Sequence, residues 1–326
     1  MFLFQRTDTE RKAVFTDVAS QIGVRADMAE KDYWVSFVLN KIFADRNMAE
    51  IFWFKGGTSL SKAYRCINRF SEDIDLLLKL SEVAEPSETF DRERSANAIN
   101  TFKSKVRKQT TSYISEKIIP HLELMLNGIC TLRQDPDDPN NIFIRYPSVF
   151  SSLGYIRPEI KLEIGAFAEG TPFAPAKVNS YVADIYPQLA EDTADIPTVS
   201  IARTFWEKVT VLHYLYFLPE DRATPSRHSR HFYDIYKLFQ SSYQNEILQS
   251  ASLLDSIISF DRKFYTKRGV DYDSISTDTL RLYPSEARME ALRKDYEQMG
   301  EMIFGTTPSW NELMDFCKKL ERQLHS

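Results

Sequence analysis

Residues 54–78 read FKGGTSLSKAYRCINRFSEDIDLLL. Two glycines open this stretch, and two aspartates, Asp73 and Asp75, stand near its end beside Ile74 and a run of leucines. Side chains two residues apart in a strand point to the same side, so a strand here would project both carboxylates together. Two close carboxylates repel each other unless a cation lies between them. The pattern therefore indicates a cation site on an otherwise apolar strand.

Magnesium is the cation that suits such a pair best. Mg²⁺ takes hard oxygen ligands and is commonly held by one or two carboxylates together with the phosphates of a substrate. A carboxylate pair can also hold two metal ions, which suits in-line phosphoryl or nucleotidyl transfer. We therefore expect Mg²⁺, or Mn²⁺ in its place, as the cofactor and a substrate that carries phosphates.

The glycines, Gly56 and Gly57, would serve the phosphates of that substrate. They follow a short apolar strand, FWF, and precede a predicted helix over 58–66 in which Thr58 is the expected N-cap. Without Cβ atoms, the main-chain N–H groups can approach a phosphate closely, and the start of a helix favours an anion. Thr58 and Ser59 add hydroxyl donors to the predicted cradle.

Each half of the pattern has a simpler alternative. Two glycines alone mark a turn more often than a ligand site, and a D-x-D pair alone is often found on a solvated edge strand. Here the flanking residues Ile74 and Leu76–Leu78 are apolar, which predicts a central strand over 72–80. Glycines and acids in this order and spacing favour a phosphate cradle beside a metal site.

The rest of the chain predicts a mixed α/β part, 1–198, followed by a helical part, 199–326. Apolar residues at helical spacing predict helices at 8–22, 27–45, 92–118, 201–218, 229–248, 250–267, 284–303 and 308–325. Period-two alternation predicts a strand at 155–169, and strand candidates in 119–150 flank the turn cluster DPDDPNN. Residues 170–200 contain several prolines and are expected to be irregular.

The composition is that of a soluble globular protein, with 43% hydrophobic and 27% charged residues. The sequence has no predicted signal peptide or membrane span. The three cysteines are far apart, which argues against a disulfide framework and fits a reducing cytoplasm. The net charge of −5 argues against a strongly basic nucleic-acid binder, although 102–117 and 222–231 are locally basic.

The sequence KGGTSLSKAY…RFSEDIDL resembles that of the AbiEii/AbiGii toxin family. This family includes the MenT toxins and belongs to the nucleotidyltransferases of the polymerase-β type. That superfamily carries G-[GS] followed by D-x-[DE]. The resemblance extends into the helical half. It implies an α+β fold: a nucleotidyltransferase-type mixed β-sheet domain with flanking helices, followed by a C-terminal helical domain. It also places Lys62, within SKAY, among the nucleotide-binding residues.

The resemblance implies a third carboxylate on a neighbouring strand, as metal ligand or as base toward the attacking hydroxyl. Glu163, within IKLEI, matches that position best and would join Asp73 and Asp75 as a metal ligand. Glu159 lies on the same face of the predicted strand and is the alternative. Either residue could instead be a surface glutamate on a half-exposed strand.

Two residues of the helical half complete the implied site. Lys208 matches a family lysine that reaches the nucleotide phosphates, and Asp234, within HFYDIYKL, matches a further family acid. Asp234 has aromatic neighbours, and an unpaired buried charge is costly, so it needs a partner. Lys208 is the expected partner. Alternatively, Asp234 pairs with Arg230 or another arginine and is structural only.

As a function, the resemblance implies the toxin of a type IV, abortive-infection-like toxin–antitoxin system. The enzyme would transfer nucleotides from a nucleoside triphosphate (NTP) to an acceptor, which the resemblance implies is the 3′ end of tRNA, and so block translation and growth. The acceptor could instead be a protein or a small molecule, because this fold serves many acceptors. A cognate antitoxin protein is the implied partner. Two alternatives stay open: kinase-like phosphotransfer to a protein, and a catalytically inactive module that binds nucleotide or RNA.

Overall fold

A computed structural model describes residues 2–85, 95–150 and 157–325. Within these ranges the strands form one seven-stranded mixed sheet in the order β3-β4-β5-β2-β1-β7-β6. The strands are β1 (Phe52–Lys55), β2 (Ile74–Leu78), β3 (Thr131–Gln134), β4 (Asn141–Arg145), β5 (Glu159–Gly165), β6 (Phe173–Ala176) and β7 (Ile196–Val199).

Helices lie before, between and after these strands. They are α1 (Asp8–Ile22), α2 (Ala26–Ala44), α3 (Arg46–Ile51), α4 (Gly56–Lys62), α5 (Ala96–Tyr113), α6 (Ile119–Met125), α7 (Tyr181–Ile185), α8 (Ile201–Tyr216), α9 (Ser229–Phe239), α10 (Gln244–Gln249), α11 (Leu253–Phe264), α12 (Glu286–Met299) and α13 (Trp310–Leu324). A π-helical turn, Ile114–Ile118, joins α5 to α6. The predicted mixed α+β class is confirmed.

Strand β2 lies at the centre of the sheet, as its apolar flanks predicted. It pairs antiparallel with β1 and parallel with β5. One face of these strands is fully apolar, because Phe54, Ile74, Leu76 and Leu162 are all buried there. Burial of such side chains contributes roughly 1.5–3 kcal/mol each, so the register of β2 is strongly specified.

Local signals explain where several helices begin and end. Thr7 caps α1 in a capping box with Glu10, and Gly23 ends the helix in the left-handed region at φ 74°. Ser200 accepts a hydrogen bond from the N–H of Arg203 and so caps α8. The expected helices at 8–22 and 201–218 are confirmed within two residues at each end.

Four predicted elements need correction. Helix α4 begins at Gly56 rather than at 58, so Lys55, not Thr58, is its N-cap. Residues 119–125 are helical rather than extended, and the helix expected over 229–248 breaks into α9 and α10. The irregular region 170–200 contains β6 and β7, whose prolines Pro175 and Pro197 are register partners and weaken the strand signal.

Two predictions fall partly on residues that the structure does not describe. These are residues 155 and 156 of the predicted strand and residues 92–94 of the predicted helix. Of the described remainder, β5 covers 159–165 of the predicted strand, and α5 with the π-helical turn covers 96–118 of the predicted helix.

The chain divides into two compact units. The sheet unit comprises Met1–Arg65 and Phe70–Val199, and the helical unit comprises Cys66–Arg69 and Ser200–Ser326. The short segment Cys66–Arg69 therefore packs with helices that follow it by more than a hundred residues in the chain. The predicted division into domains 1–198 and 199–326 stays a prediction. In the described part of the chain, no helix has the length and apolar composition needed to cross a membrane.

Candidate active site

A polar row crosses four strands of the sheet unit. Lys55 of β1, Asp75 of β2, Glu163 of β5 and Asn141 of β4 are register partners in turn. Residues in register on neighbouring strands project from the same face, so the carboxylates of Asp75 and Glu163 lie side by side. The opposite face of the same strands is apolar, which leaves this face for polar chemistry.

Gly56 lies directly against the Asp75 side chain. A Cβ atom added to Gly56 would stand 1.9 Å from Oδ2 of Asp75, far inside any allowed contact. Gly56 also has φ +80°, a conformation that residues with a side chain rarely adopt. Two independent reasons, the positive φ and the lack of space for a Cβ atom, thus require glycine at position 56. The structure brings together the first glycine and the second aspartate of the motif.

The hydroxyl groups of Thr58 and Ser59 have acceptors within the protein. The Thr58 hydroxyl donates to the main-chain oxygen of Asp73 and lies 3.0 Å from the Ser71 hydroxyl. The Ser59 hydroxyl donates to the main-chain oxygen of Gly56 at 2.8 Å. Both residues are fully buried. In this structure they hold Asp73 and Gly56 in place, and their predicted contact with phosphate stays a prediction.

Lys62 also has a protein partner. It is buried, and its ammonium lies 2.5 Å from the carboxylate of Asp32, which also accepts from the N–H of Tyr181 at 2.7 Å. The Tyr181 ring lies 4.4 Å from the Lys62 nitrogen. Lys62 could reach a phosphate only if this ion pair opened, so its nucleotide-binding role stays a prediction.

Lys161, to which the sequence analysis assigned no role, lies on the same face as the acids. Its ammonium is 2.5 Å from Oε1 of Glu163. Burial lowers the pKa of Lys161, but the hydrogen bond and charge of Glu163 and the charge of Asp73 raise it above its ordinary value. The period-two pattern of β5, which puts Lys161 between the two glutamates, was the signal for it.

The two glutamates of β5 have different neighbours. Glu163 is in register with Asp75, whereas Glu159 is in register with Arg145 of β4 and lies 3.4 Å from Arg133. The negative charge of an acid beside two arginines is already balanced without a metal. Position thus favours Glu163 over Glu159 as the third carboxylate.

A divalent metal fits part of this arrangement. No group of three or more His, Cys, Asp or Glu side chains in the described ranges is arranged to hold a metal. Asp73 and Asp75 remain as a half-buried pair of hard oxygen donors beside the glycine that leaves room for a carboxylate. Such a pair fits Mg²⁺ or Mn²⁺, which take their other ligands from substrate phosphates and water.

The helical unit holds a second charged cluster, built on Asp234 of α9. Oδ2 of this fully buried carboxylate lies 2.7 Å from the Lys208 ammonium, so the expected pair is present. The guanidinium of Arg69 binds the same carboxylate through two N–H groups, at 2.7 and 2.8 Å. Asp234 therefore joins α8 and α9 to the segment Cys66–Arg69.

The cluster sets the protonation of its members. Burial alone would raise the pKa of Asp234, but the charges and hydrogen bonds of Arg69 and Lys208 hold it well below its usual range. Burial lowers the pKa of Lys208. The charge of Asp234 opposes this shift, whereas the charge of Arg69 lowers the pKa further. One buried carboxylate thus stays ionised between two cations.

Arg69 is the arginine that the sequence analysis did not identify. It lies in the INRF segment between Ile67 and Phe70, four residues before Asp73. Its position between the apolar residues Ile67 and Phe70 was the available signal, since an arginine that is buried with such residues needs a carboxylate partner. The carboxylate, however, stands 165 residues further along the chain.

Comparison with family models decides what kind of protein carries these sites. A model described as the nucleotidyl transferase AbiEii toxin of type IV toxin–antitoxin systems matches residues 38–322. The chain belongs to the AbiEii family. The matched range includes the glycines, the aspartates, Glu163, Lys208 and Asp234.

Two solved structures are also similar to this AbiEii chain. JHP933 from Helicobacter pylori has a TM-score of 0.44 and 13% identity, over 91% of this chain and 91% of that one. MenT4, a nucleotidyltransferase toxin from Mycobacterium tuberculosis, has a TM-score of 0.46 and 14% identity, over 97% and 99%. Neither similarity is close enough to support a conclusion about this chain. The comparison with curated proteins finds no match.

A substitution at Gly56 tests the packing against Asp75. We expect Gly56→Ala to destabilise the AbiEii chain by about 1–2 kcal/mol through its positive φ, and by a further 1–3 kcal/mol or so because the new methyl group overlaps the carboxylate. Gly128→Ala is the matched control, since Gly128 has φ +70° but no atom within 4 Å of its added Cβ. Urea unfolding measures both variants, and equal losses would contradict the contact.

A pH series tests the Asp234 cluster. Asp234→Asn leaves two buried cations without their anion and should destabilise the chain by about 3–5 kcal/mol near neutral pH. The pKa of Asp234 is lowered in the folded state, so its contribution is complete above the unfolded value of about 3.9 and is lost as the pH falls below it.

The difference in unfolding free energy between wild type and Asp234→Asn should therefore shrink as the pH is lowered from 6 to about 3. Asp315→Asn, at an exposed acid of α13, is the control and should change stability by less than about 0.5 kcal/mol. A difference that does not vary with pH would show that Asp234 is not an ionised partner of the two cations.

Proposed function

We propose that this chain transfers a nucleotide from an NTP to an acceptor hydroxyl in a reaction that requires Mg²⁺ or Mn²⁺. The observation that carries the proposal is the packing of Gly56 against Asp75 on the central strand. Membership of a nucleotidyltransferase toxin family supports the reaction class. The metal, the substrate and the acceptor are parts of the proposal.

Asp73 and Asp75 are the proposed metal ligands. These carboxylates would hold the metal, which would supply Lewis-acid charge at the phosphate oxygens and so make the phosphorus easier to attack. Glu163 is proposed to complete the ligand set or to accept the proton of the attacking hydroxyl. Its present partner, Lys161, balances the charge of Glu163 and Asp73.

Main-chain N–H groups of Gly56 and Gly57 are the proposed phosphate donors. The first N–H groups of a helix have no partner within that helix, and α4 begins at Gly56. Lys208 is proposed to add a point charge for a phosphate oxygen, with Asp234 fixing the direction of its ammonium. Thr58 and Ser59 position the glycine and aspartate main chain, and Lys62 is proposed as a further nucleotide-binding residue.

The proposed acceptor is the 3′ end of tRNA. A nucleotide added there would prevent aminoacylation in the cytoplasm and stop growth. The proposal is supported by the family description, a nucleotidyl transferase toxin of type IV toxin–antitoxin systems, because a toxin needs a target whose modification stops growth. The same description supports a cognate antitoxin as the partner that relieves toxicity.

Incubation with α-³²P-labelled NTPs, each base in turn, with Mg²⁺ and total tRNA, tests the reaction. We expect label on tRNA with one preferred NTP, and a loss of about 10²–10³-fold or more in Asp73→Asn and Asp75→Asn, because the metal loses a ligand. Asp137→Asn, in the exposed turn of the sheet unit, is the matched control and should keep full activity.

The same assay distinguishes the alternatives. Transfer of label from γ-³²P-NTP to protein would indicate phosphotransfer. NTP binding without any product would indicate an inactive binding module. Equal labelling by wild type and both aspartate variants would overturn the proposed site.

A further inference from the structure

The helical unit contains a cavity of about 630 Å³ that the proposed reaction does not use. It is lined by the second half of α8, by the segment that follows α8, and by residues 266–268 after α11. Its volume lies within the roughly 300–1,000 Å³ of typical ligand pockets.

The lining combines an apolar floor with a basic rim. Val211, Leu215 and Leu218 supply the floor. Every charged residue among the described lining residues is basic: Arg222, Lys267 and Arg268, all exposed, with His228 beside them. This rim includes part of the acid-free stretch 222–231, to which the proposed reaction gives no role.

Two acids interact with this rim or its lining. Asp221 lies 3.5 Å from Arg268 in an exposed pair, which contributes little in water. Burial raises the pKa of Asp261, whereas the Tyr214 hydroxyl, which donates to its carboxylate at 3.0 Å, and the charge of Lys267 oppose that shift. The described lining itself carries three cations and no acid, so the rim attracts an anion.

The wall that carries Arg222 is held in place by buried hydrogen bonds. The guanidinium of Arg288, itself buried, donates to the main-chain oxygens of Leu218, Pro219 and Arg222. Further along, the Asp295 carboxylate accepts from the N–H groups of Arg227 and Ser229, at 2.6 and 2.9 Å. The pocket is therefore largely formed before any ligand enters.

The opposite wall is shaped by a glycine. Gly269 has φ +89°, and a Cβ atom there would stand 2.7 Å from the main-chain oxygen of Phe217. Only glycine lets the turn that carries Lys267 and Arg268 approach the end of α8 this closely.

We propose that this cavity binds a nucleotide unit of a single-stranded nucleic acid. Its phosphates contact Arg222, Lys267 and Arg268, and its base lies on the apolar floor. Single-strand binders combine these same two features, cations for the backbone and apolar or aromatic surface for the bases. The choice of nucleic acid over other anions rests on the proposed function, in which an RNA is the acceptor.

Fluorescence anisotropy tests the proposal with a labelled single-stranded RNA of about 12 nucleotides. EDTA is present and NTP is absent, so catalysis plays no part. Arg222→Ala/Lys267→Ala should weaken binding about 10-fold near 0.1 M salt. It should also lower the slope of log Kd against log salt concentration by about 1.4, since each phosphate contact on a single strand contributes about 0.7.

Two further variants distinguish RNA binding in the cavity from a general effect of positive surface charge. Lys319→Ala/Arg322→Ala removes the same charge from exposed positions of α13 and should leave the affinity within about twofold. Ala223→Trp places an indole in the cavity lining without changing charge, and should weaken binding at least as much as the Arg222/Lys267 pair. Circular dichroism and thermal melting confirm that each variant is folded.

A third comparison tests the base. An abasic strand of the same length should bind about 10-fold more weakly than the RNA, because each base–side-chain contact is worth about 1–3 kcal/mol. Equal affinity for the abasic strand, no effect of Ala223→Trp, or equal effects of the two charge-removing pairs would each overturn the proposal.

The outcomes are independent of nucleotide transfer. A chain that labels tRNA but binds RNA without regard to the cavity variants contradicts this inference alone. A chain that binds RNA through the cavity but transfers no nucleotide contradicts the proposed function alone.

Discussion

The contact between the Asp75 carboxylate and Gly56 is the constraint on which the proposed chemistry depends. The carboxylate fills the space that any side chain at position 56 would need. This contact joins the end of β1 to the middle of the sheet, because Lys55 and Asp75 are register partners. Thr58 then secures the residue before β2 through the main-chain oxygen of Asp73. The glycine pair and the acid pair are therefore one structural element, although Asp73 lies 17 positions after Gly56 in the chain.

Each unit also contains buried ion pairs that connect distant segments of the chain. In the sheet unit, Asp32 of α2 holds Lys62 at the end of α4, and Lys31 holds Glu72 just before the aspartates at 2.5 Å. In the helical unit, Asp234 holds Arg69 and Lys208 together. Removing one partner from a buried pair leaves an uncompensated charge, so such pairs specify which segments must meet. In this way Lys62, Arg69 and Glu72, all within the stretch 54–78, are each paired with a charged residue elsewhere in the same unit.

Local pattern was enough to predict much of the fold and the pairing of Asp234 with Lys208, while the roles of the site residues stay predictions. The spacing of apolar residues located α1 and α8, the alternation in IKLEI located β5, and the apolar flanks of Asp75 placed β2 at the centre of the sheet. Each of these signals depends on residues close together in the sequence, so it can be recognised without knowledge of the tertiary structure. The prolines of β6 and β7 masked two strands, because they remove donors that a strand normally uses.

What the sequence did not reveal depends on contacts between distant residues. Arg69 meets Asp234 across 165 residues, and Lys62 meets Asp32 across 30. The hydroxyls of Thr58 and Ser59 were predicted as ligand donors, yet the structure supplies each with a main-chain acceptor. Residue type alone identified the two hydroxyls as donors, whereas their acceptors became apparent only in the folded structure.

Metal binding at the two aspartates is the central claim, and Mn²⁺ titration followed by electron paramagnetic resonance tests it most directly. With a non-hydrolysable NTP analogue present, we expect wild-type protein to bind one or two Mn²⁺ ions and Asp73→Asn/Asp75→Asn to bind none at the same concentrations. Equal Mn²⁺ stoichiometry and affinity in the wild type and the double variant would contradict it.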